Sequence, residues 1–179
     1  MKKSFDDLKR DLKFSPTLTI LLTIFITVLF FLQPEEAPEK YGLAIEVVLV
    51  EPWRLITNHF IHFSTGHFLM NAMGLIFLGG ILETAGMERR YMVGGIVLAM
   101  IFSDLFILFS QTLSPSLVAG FSGIVYGYIG MMRYVVGRKG VLGLAILFFG
   151  FGIVTSGSNI AWSGHIGGFI GGLILGEEI

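Results

Sequence analysis

Gly120-Phe121-Ser122-Gly123 opens an apolar segment that runs on to Val136, and its reading decides the fold. A second apolar segment 43 residues later carries Trp162-Ser163-Gly164-His165-Ile166-Gly167-Gly168. Apolar runs of roughly 17–25 residues are what a bilayer core of about 30 Å demands of a helix. A hydroxyl and an imidazole inside such segments are a candidate nucleophile and base, because polar groups in lipid are rare and mostly functional.

The composition agrees. Of 179 residues 54% are hydrophobic and only 14% charged, and the mean hydropathy is +0.79. One domain of polytopic helical membrane protein follows from these values. A net charge of -1 leaves no basic surplus for nucleic acid, and zero cysteines exclude disulfides, thiolate metal sites and a cysteine nucleophile. The 24 glycines read as helix packing, since small residues let membrane helices approach closely.

Outward from Ser122, six spans are expected: Pro16–Gln33, His67–Thr84, Tyr91–Ser110, Val118–Val136, Gly140–Thr155 and Ala161–Leu175. Residues 1–15 form a polar cytoplasmic segment without a signal-peptide cleavage site, and 16–179 the six-helix domain. Pro34–Gly66 is too long for a simple link. Its apolar part is too short to span, which predicts a loop lying partly in the membrane, with Trp53 at the interface. With the N-terminus inside, the inner segments hold ten of the twelve basic residues and the outer segments only Lys40 and Arg54. That positive-inside bias places Ser122, His165 and His67 at one depth, toward the outer side.

Ser122 near a helix N-terminus would profit from free backbone N–H groups when an oxyanion forms. Gly120 and Gly123 leave room for a substrate backbone. Taken alone, this cluster reads as a packing notch. His165 changes the weighting: Gly164, Gly168 and Gly172 give its helix a small face, so a neighbour carrying Ser122 can come within the roughly 3 Å of proton transfer. His67 and Asn71 share a helix face and suit an oxyanion hole, or else tie two helices together. His59, His62 and His67 lack the spacing of a zinc protease, so no metal and no cofactor are expected. His62 is expected to anchor its loop by hydrogen bonds. Asp104 reads as a wetted or paired carboxylate, and Glu83 and Arg54 as residues that tie loops down.

With these residues in view, the chain resembles the rhomboid intramembrane serine proteases over nearly its whole length. Gly120-Phe121-Ser122-Gly123 matches the family's Gly-x-Ser-Gly, and His67-Phe68-Leu69-Met70-Asn71 its His-x-x-x-Asn. Gly164-His165-Ile166-Gly167-Gly168 matches Ala-His-x-x-Gly with glycine for alanine, and Trp53-Arg54 the first-loop pair. His62-Phe63-Ser64 and Leu78-Gly79-Gly80 with Glu83 are also similar.

The resemblance implies an all-α bundle of six transmembrane helices with a membrane-inserted first loop, in a compact prokaryotic form without a seventh helix or large soluble domain. It implies a Ser122–His165 dyad with no catalytic carboxylate, Tyr126 stacked on the histidine, and an oxyanion hole from the Ser122 N–H, His67 and Asn71. It implies a gate around Phe148, Phe149 and Phe151. The substrates would be transmembrane helices that enter sideways, with helix-weakening residues and a small residue before the cut. The activity would rise with pH through a histidine titration, near 6.5 for an unperturbed imidazole. Two rivals make other predictions. A rhomboid-like pseudoprotease that binds membrane helices lacks the serine or the histidine. A small proton-coupled transporter would use His165, His67 and Asp104 as a path and would not need Ser122. The sequence assigns no oligomeric state.

Overall fold

The computed structural model describes residues 16–113, 116–156 and 161–176. The N-terminal segment 1–15, Pro115 and most of the polar turn expected after residue 155 lie outside the described residues. Among the described residues the chain is helical and holds no strand, only an isolated antiparallel bridge between Leu43 and Val118. We number the helices α1 Thr17–Leu32, α2 Ala37–Tyr41, α3 Arg54–Thr57, α4 Thr65–Thr84, α5 Arg89–Gln111, α6 Ser122–Met131, α7 Arg133–Ser156 and α8 Trp162–Leu175. A 3-10 turn, Asn58–Phe60, follows α3; a π turn interrupts α4 at Leu75–Gly79; and Gly137 breaks α7 near its start.

The α4 and α5 helices and residues Arg133–Ile153 of α7 are long and apolar enough to cross a bilayer, and α1 and α8 are shorter apolar helices. Large apolar side chains such as Leu21, Phe31, Phe77, Leu105 and Ile146 face outward, the arrangement of a multi-pass membrane protein. The buried core gathers Leu75, Leu78 and Leu82 of α4 with Ile124, Tyr128, Ile129 and Met131 of α6. Nine residues of α6 are buried, so this helix is shielded from lipid on nearly every side.

Glycine sets the closest contacts. The α8 helix packs chiefly against α5 and α6. A Cβ added at Gly168 would lie 2.0 Å from the Gly123 carbonyl oxygen, and one at Gly172 1.8 Å from that of Gly127. Only hydrogen fits there, so the two backbones meet directly.

Polar residues fasten the ends. Glu83 lies 4.0 Å from Arg89 Nε across the 85–88 turn, and it also caps a helix. Pro16 leaves α1 without a side-chain cap, and the Leu18 and Thr19 N–H groups donate instead to the Glu83 carboxylate at 2.9 and 2.8 Å. His62 does anchor its loop by hydrogen bonds, though not through its ring, whose nitrogens have no well-aligned partner among the described residues. The backbone does that work, with Gln33 Nε2 donating to the His62 carbonyl at 2.6 Å and the His62 N–H donating to Gln33 Oε1 at 3.1 Å. Arg54 is buried and donates to the Glu39 and Gly42 carbonyls at 2.7 and 2.8 Å, which fixes the first loop upon itself.

Candidate active site

The expected fourth span begins four residues late. Val118 is held by Leu43, and Gly120 has φ +134°, a backbone that side chains other than glycine's rarely adopt. The helix can start only after this turn, so Ser122 is the first residue of α6 and Phe121 its cap. Ser122 thus sits where the first backbone N–H groups of a helix point free.

His165 lies one turn into α8 and faces it. Its Nε2 is 2.9 Å from Ser122 Oγ. The ring lies flat on Tyr126, with centroids 4.2 Å apart and planes 12° apart, and Trp162 meets it edge-on at 5.7 Å. Tyr126 is one turn after Ser122, so the two residues flank the imidazole from one helix. The Tyr126 hydroxyl donates to the Phe148 carbonyl at 3.2 Å. Among the described residues His165 Nδ1 has no hydrogen-bond partner and no carboxylate reaches this ring: Asp104 accepts from Asn58 Nδ2 at 3.2 Å and lies 3.1 Å from His59 Nε2. Of the two states expected for Asp104, wetted or paired, the buried side chain is in the paired one.

Ser64 begins α4 and accepts from the His67 N–H at 3.2 Å, which sets His67 in the first turn. A Cβ built on Gly120 would fall 2.7 Å from His67 Nε2 and 3.6 Å from Asn71 Nδ2. The two side chains therefore converge on the turn just before Ser122. Asn71 Nδ2 is buried and has no hydrogen-bond partner among the described residues.

Gly123 lines a small cleft beside Ser122 and His165. Its missing side chain makes room for Ser103 Oγ, 2.5 Å from a built Cβ, and so for α5. Gly168 acts one layer deeper by bringing α8 onto Gly123. Phe149 packs on Tyr126 at 4.7 Å and near Trp162 at 6.0 Å, while Phe148 is half-buried and Phe151 faces outward. Those three expected gate residues thus occupy different environments on α7.

A small cleft of about 10 Å³, on the order of one water molecule, lies beside the pair, lined among others by Asn58, Ser103, Ile107, Ser122 and His165. Asn58, Ser103 and Trp162 were not singled out from the sequence. Trp162, three residues before His165, carried a signal in its helical spacing. Asn58 and Ser103 carried none, because tertiary packing alone brings them here. Chemically, a hydroxyl bonded to an imidazole is an activated nucleophile, and side-chain donors nearby can receive developing negative charge.

The family model described as the Rhomboid domain matches residues 50–177. The chain belongs to the rhomboid family. It is 31% identical over 140 residues to the rhomboid protease GluP of Bacillus subtilis, which covers 72% of this chain and 26% of that protein. It is 30% identical over 134 residues to the rhomboid protease GlpG of Yersinia enterocolitica (69% and 46%) and 31% identical over 137 residues to GlpG of Photorhabdus laumondii (70% and 47%). The chain thus spans about a quarter to a half of the length of these relatives.

Proposed function

We propose that this chain is an intramembrane serine endopeptidase that cuts transmembrane helices by a Ser122–His165 dyad. The observation that carries the reading is the 2.9 Å contact of Ser122 Oγ with His165 Nε2. It lies at a helix start, beside two converging donors, in a membrane protein whose relatives are named proteases.

In this reading α1, α4, α5, α6, α7 and α8 cross the bilayer as a six-helix bundle formed by residues 16–179. Residues 1–15 are cytoplasmic, and the first loop lies in the outer leaflet. The distribution of basic residues puts the active site toward the outer side. A substrate helix enters between α4 and α7, past Phe148, Phe149 and Phe151. Its backbone must unwind before a carbonyl is free to react, which favours segments with helix-weakening residues.

The Ser122 oxygen attacks the scissile carbonyl carbon while its proton passes to His165 Nε2. The carbonyl oxygen becomes an oxyanion received by the Ser122 N–H, His67 and Asn71. Collapse expels the amine, which takes the proton from His165 and leaves an acyl group on Ser122. A water in the cleft lined by Asn58 and Ser103 gives a proton to His165 and attacks the ester. A carboxylate leaves and Ser122 regains its proton. Tyr126 holds the imidazole plane as a carboxylate does in a triad.

Labelling of the detergent-solubilised protein with a fluorophosphonate probe tests this. Wild type should label, and Ser122→Ala and His165→Ala should not. A folded wild type that fails to label favours a helix-binding pseudoprotease or a transporter; labelling of Ser122→Ala means another nucleophile.

A further inference from the structure

Asp104 is a buried carboxylate outside the dyad, and it faces the first loop rather than His165. Its Oδ1 accepts from Asn58 Nδ2 at 3.2 Å and lies 3.1 Å from His59 Nε2, close enough for attraction but without the alignment of a hydrogen bond. Asn58 and His59 are themselves buried. The Asn58 amide gives one N–H to the Arg54 carbonyl at 2.7 Å and the other to Asp104, so both its donors are used and the side chain cannot rotate freely. The backbone carbonyl of the same Asn58 accepts from the Gly120 N–H at 2.8 Å. Gly120 is the φ +134° residue two places before Ser122, and it faces His67 and Asn71.

One line of contacts therefore runs from α5 through Asp104 and Asn58 to the turn that aims Ser122. We infer that Asp104 is a positioning residue of the reaction, which sets the Ser122 turn through Asn58. The inference rests on the protease reading above. Without the carboxylate, a buried amide N–H of Asn58 loses its acceptor. The turn at Asn58 is then free to shift, and Gly120 shifts with it. The reacting serine and the two donors beside Gly120 go out of register, although none of them has been altered. A displacement of 1 Å in such a constellation is enough for a large loss of rate.

The test follows fluorophosphonate labelling of the full chain over time at several probe concentrations. This separates the rate constant kinact, the probe affinity KI and the fraction labelled at the end. Asp104→Ala should lower kinact about tenfold, with KI and the final fraction within about twofold of wild type. Asp104→Asn keeps the oxygen that accepts from Asn58 and should recover most of the rate. Asn58→Ala should be as slow as Asp104→Ala, and the double variant no slower than either single one.

If Asp104→Ala does not fold, Asn58→Ala carries the same prediction. A wild-type kinact in the folded single variants overturns the inference. So does a loss confined to the final fraction, which is the mark of a merely structural role, or an Asp104→Asn as slow as Asp104→Ala, or additive losses in the double variant. A wild type that does not label overturns the protease reading first and this inference with it.

Discussion

Tyr126 lies parallel to His165 at 4.2 Å, one helical turn beyond the serine that the histidine touches. The imidazole thus lies on a flat aromatic face of α6. Stacking of this kind is worth about 0.5–1.5 kcal/mol, which corresponds to a factor of about two to ten in rate if it acts on the reacting geometry. Tyr126→Leu is expected to lower kcat on a transmembrane substrate by that factor with little change in KM. Tyr126→Phe keeps the face and loses only the bond to the Phe148 carbonyl, so it should stay close to wild type. Equal losses in both variants would assign the effect to the hydroxyl instead.

Gly168 sets how near α8 comes to α6. Alanine is the better helix former by about 1 kcal/mol, yet its Cβ would meet the Gly123 oxygen at 2.0 Å. The helices must separate, at a cost of about 1–3 kcal/mol, and His165 moves with α8. Gly168→Ala should therefore lose activity on the order of a hundredfold, the effect of about 1 Å of misplacement. Probe labelling beside a thermal unfolding curve checks this, and wild-type labelling would show that this contact does not set the distance.

The base must be neutral to take the serine proton. A protonated His165 has no lone pair at Nε2, so the labelling rate should fall as pH falls and level off once the imidazole is deprotonated. The measurement is kinact from pH 5 to 8, on protein shown to remain folded throughout. A flat profile would argue against His165 as the base.

Stability should carry a separate acid dependence from His62, between the 3-10 turn and α4. Burial, reinforced by the charge of nearby His67, pushes its pKa down to about 3, against a weaker upward pull from the backbone at Phe60. The folded state then binds fewer protons than the unfolded one between pH 3 and 6.5. Stability is complete above about 6.5 and falls by up to about 1.4 kcal/mol per pH unit below it. Phe30 and Phe68 pack against the ring, so His62→Leu should stay folded and flatten the dependence. Unfolding temperatures from pH 4 to 7 would reveal an unchanged slope if another group is responsible.

Glu83 should matter to stability and not to chemistry. Its two oxygens each receive one N–H of α1. Glu83→Gln offers one oxygen and turns a donor toward the other N–H, with a cost of about 1–2 kcal/mol. A lower unfolding temperature with an unchanged kinact is expected. A fall in kinact would mean that α1 helps to hold the site.

Much of this molecule was readable from residue order. Apolar length marked four of the helices to within a few residues, because a bilayer leaves the backbone little choice but helix, whereas the expected spans Val118–Val136 and Gly140–Thr155 meet instead as α6 ending at Met131 and α7 beginning at Arg133. The start of α6 was misjudged since hydropathy does not register the bridge from Val118 to Leu43 or the turn at Gly120. The cap that Glu83 places on α1 is not legible in the sequence, because the N–H groups it receives belong to residues 64 and 65 positions away.

The sequence by itself determined a helical membrane protein, the family motifs, and Ser122 and His165 as the residues to watch. These depend on residue type and short spacing, which the chain carries locally. Tertiary structure alone decided the 2.9 Å between those two side chains, the convergence of His67 and Asn71 on Gly120, and the partner of Asp104. Each joins residues from separate helices and loops, and their meeting depends on how closely glycine lets whole backbones pack.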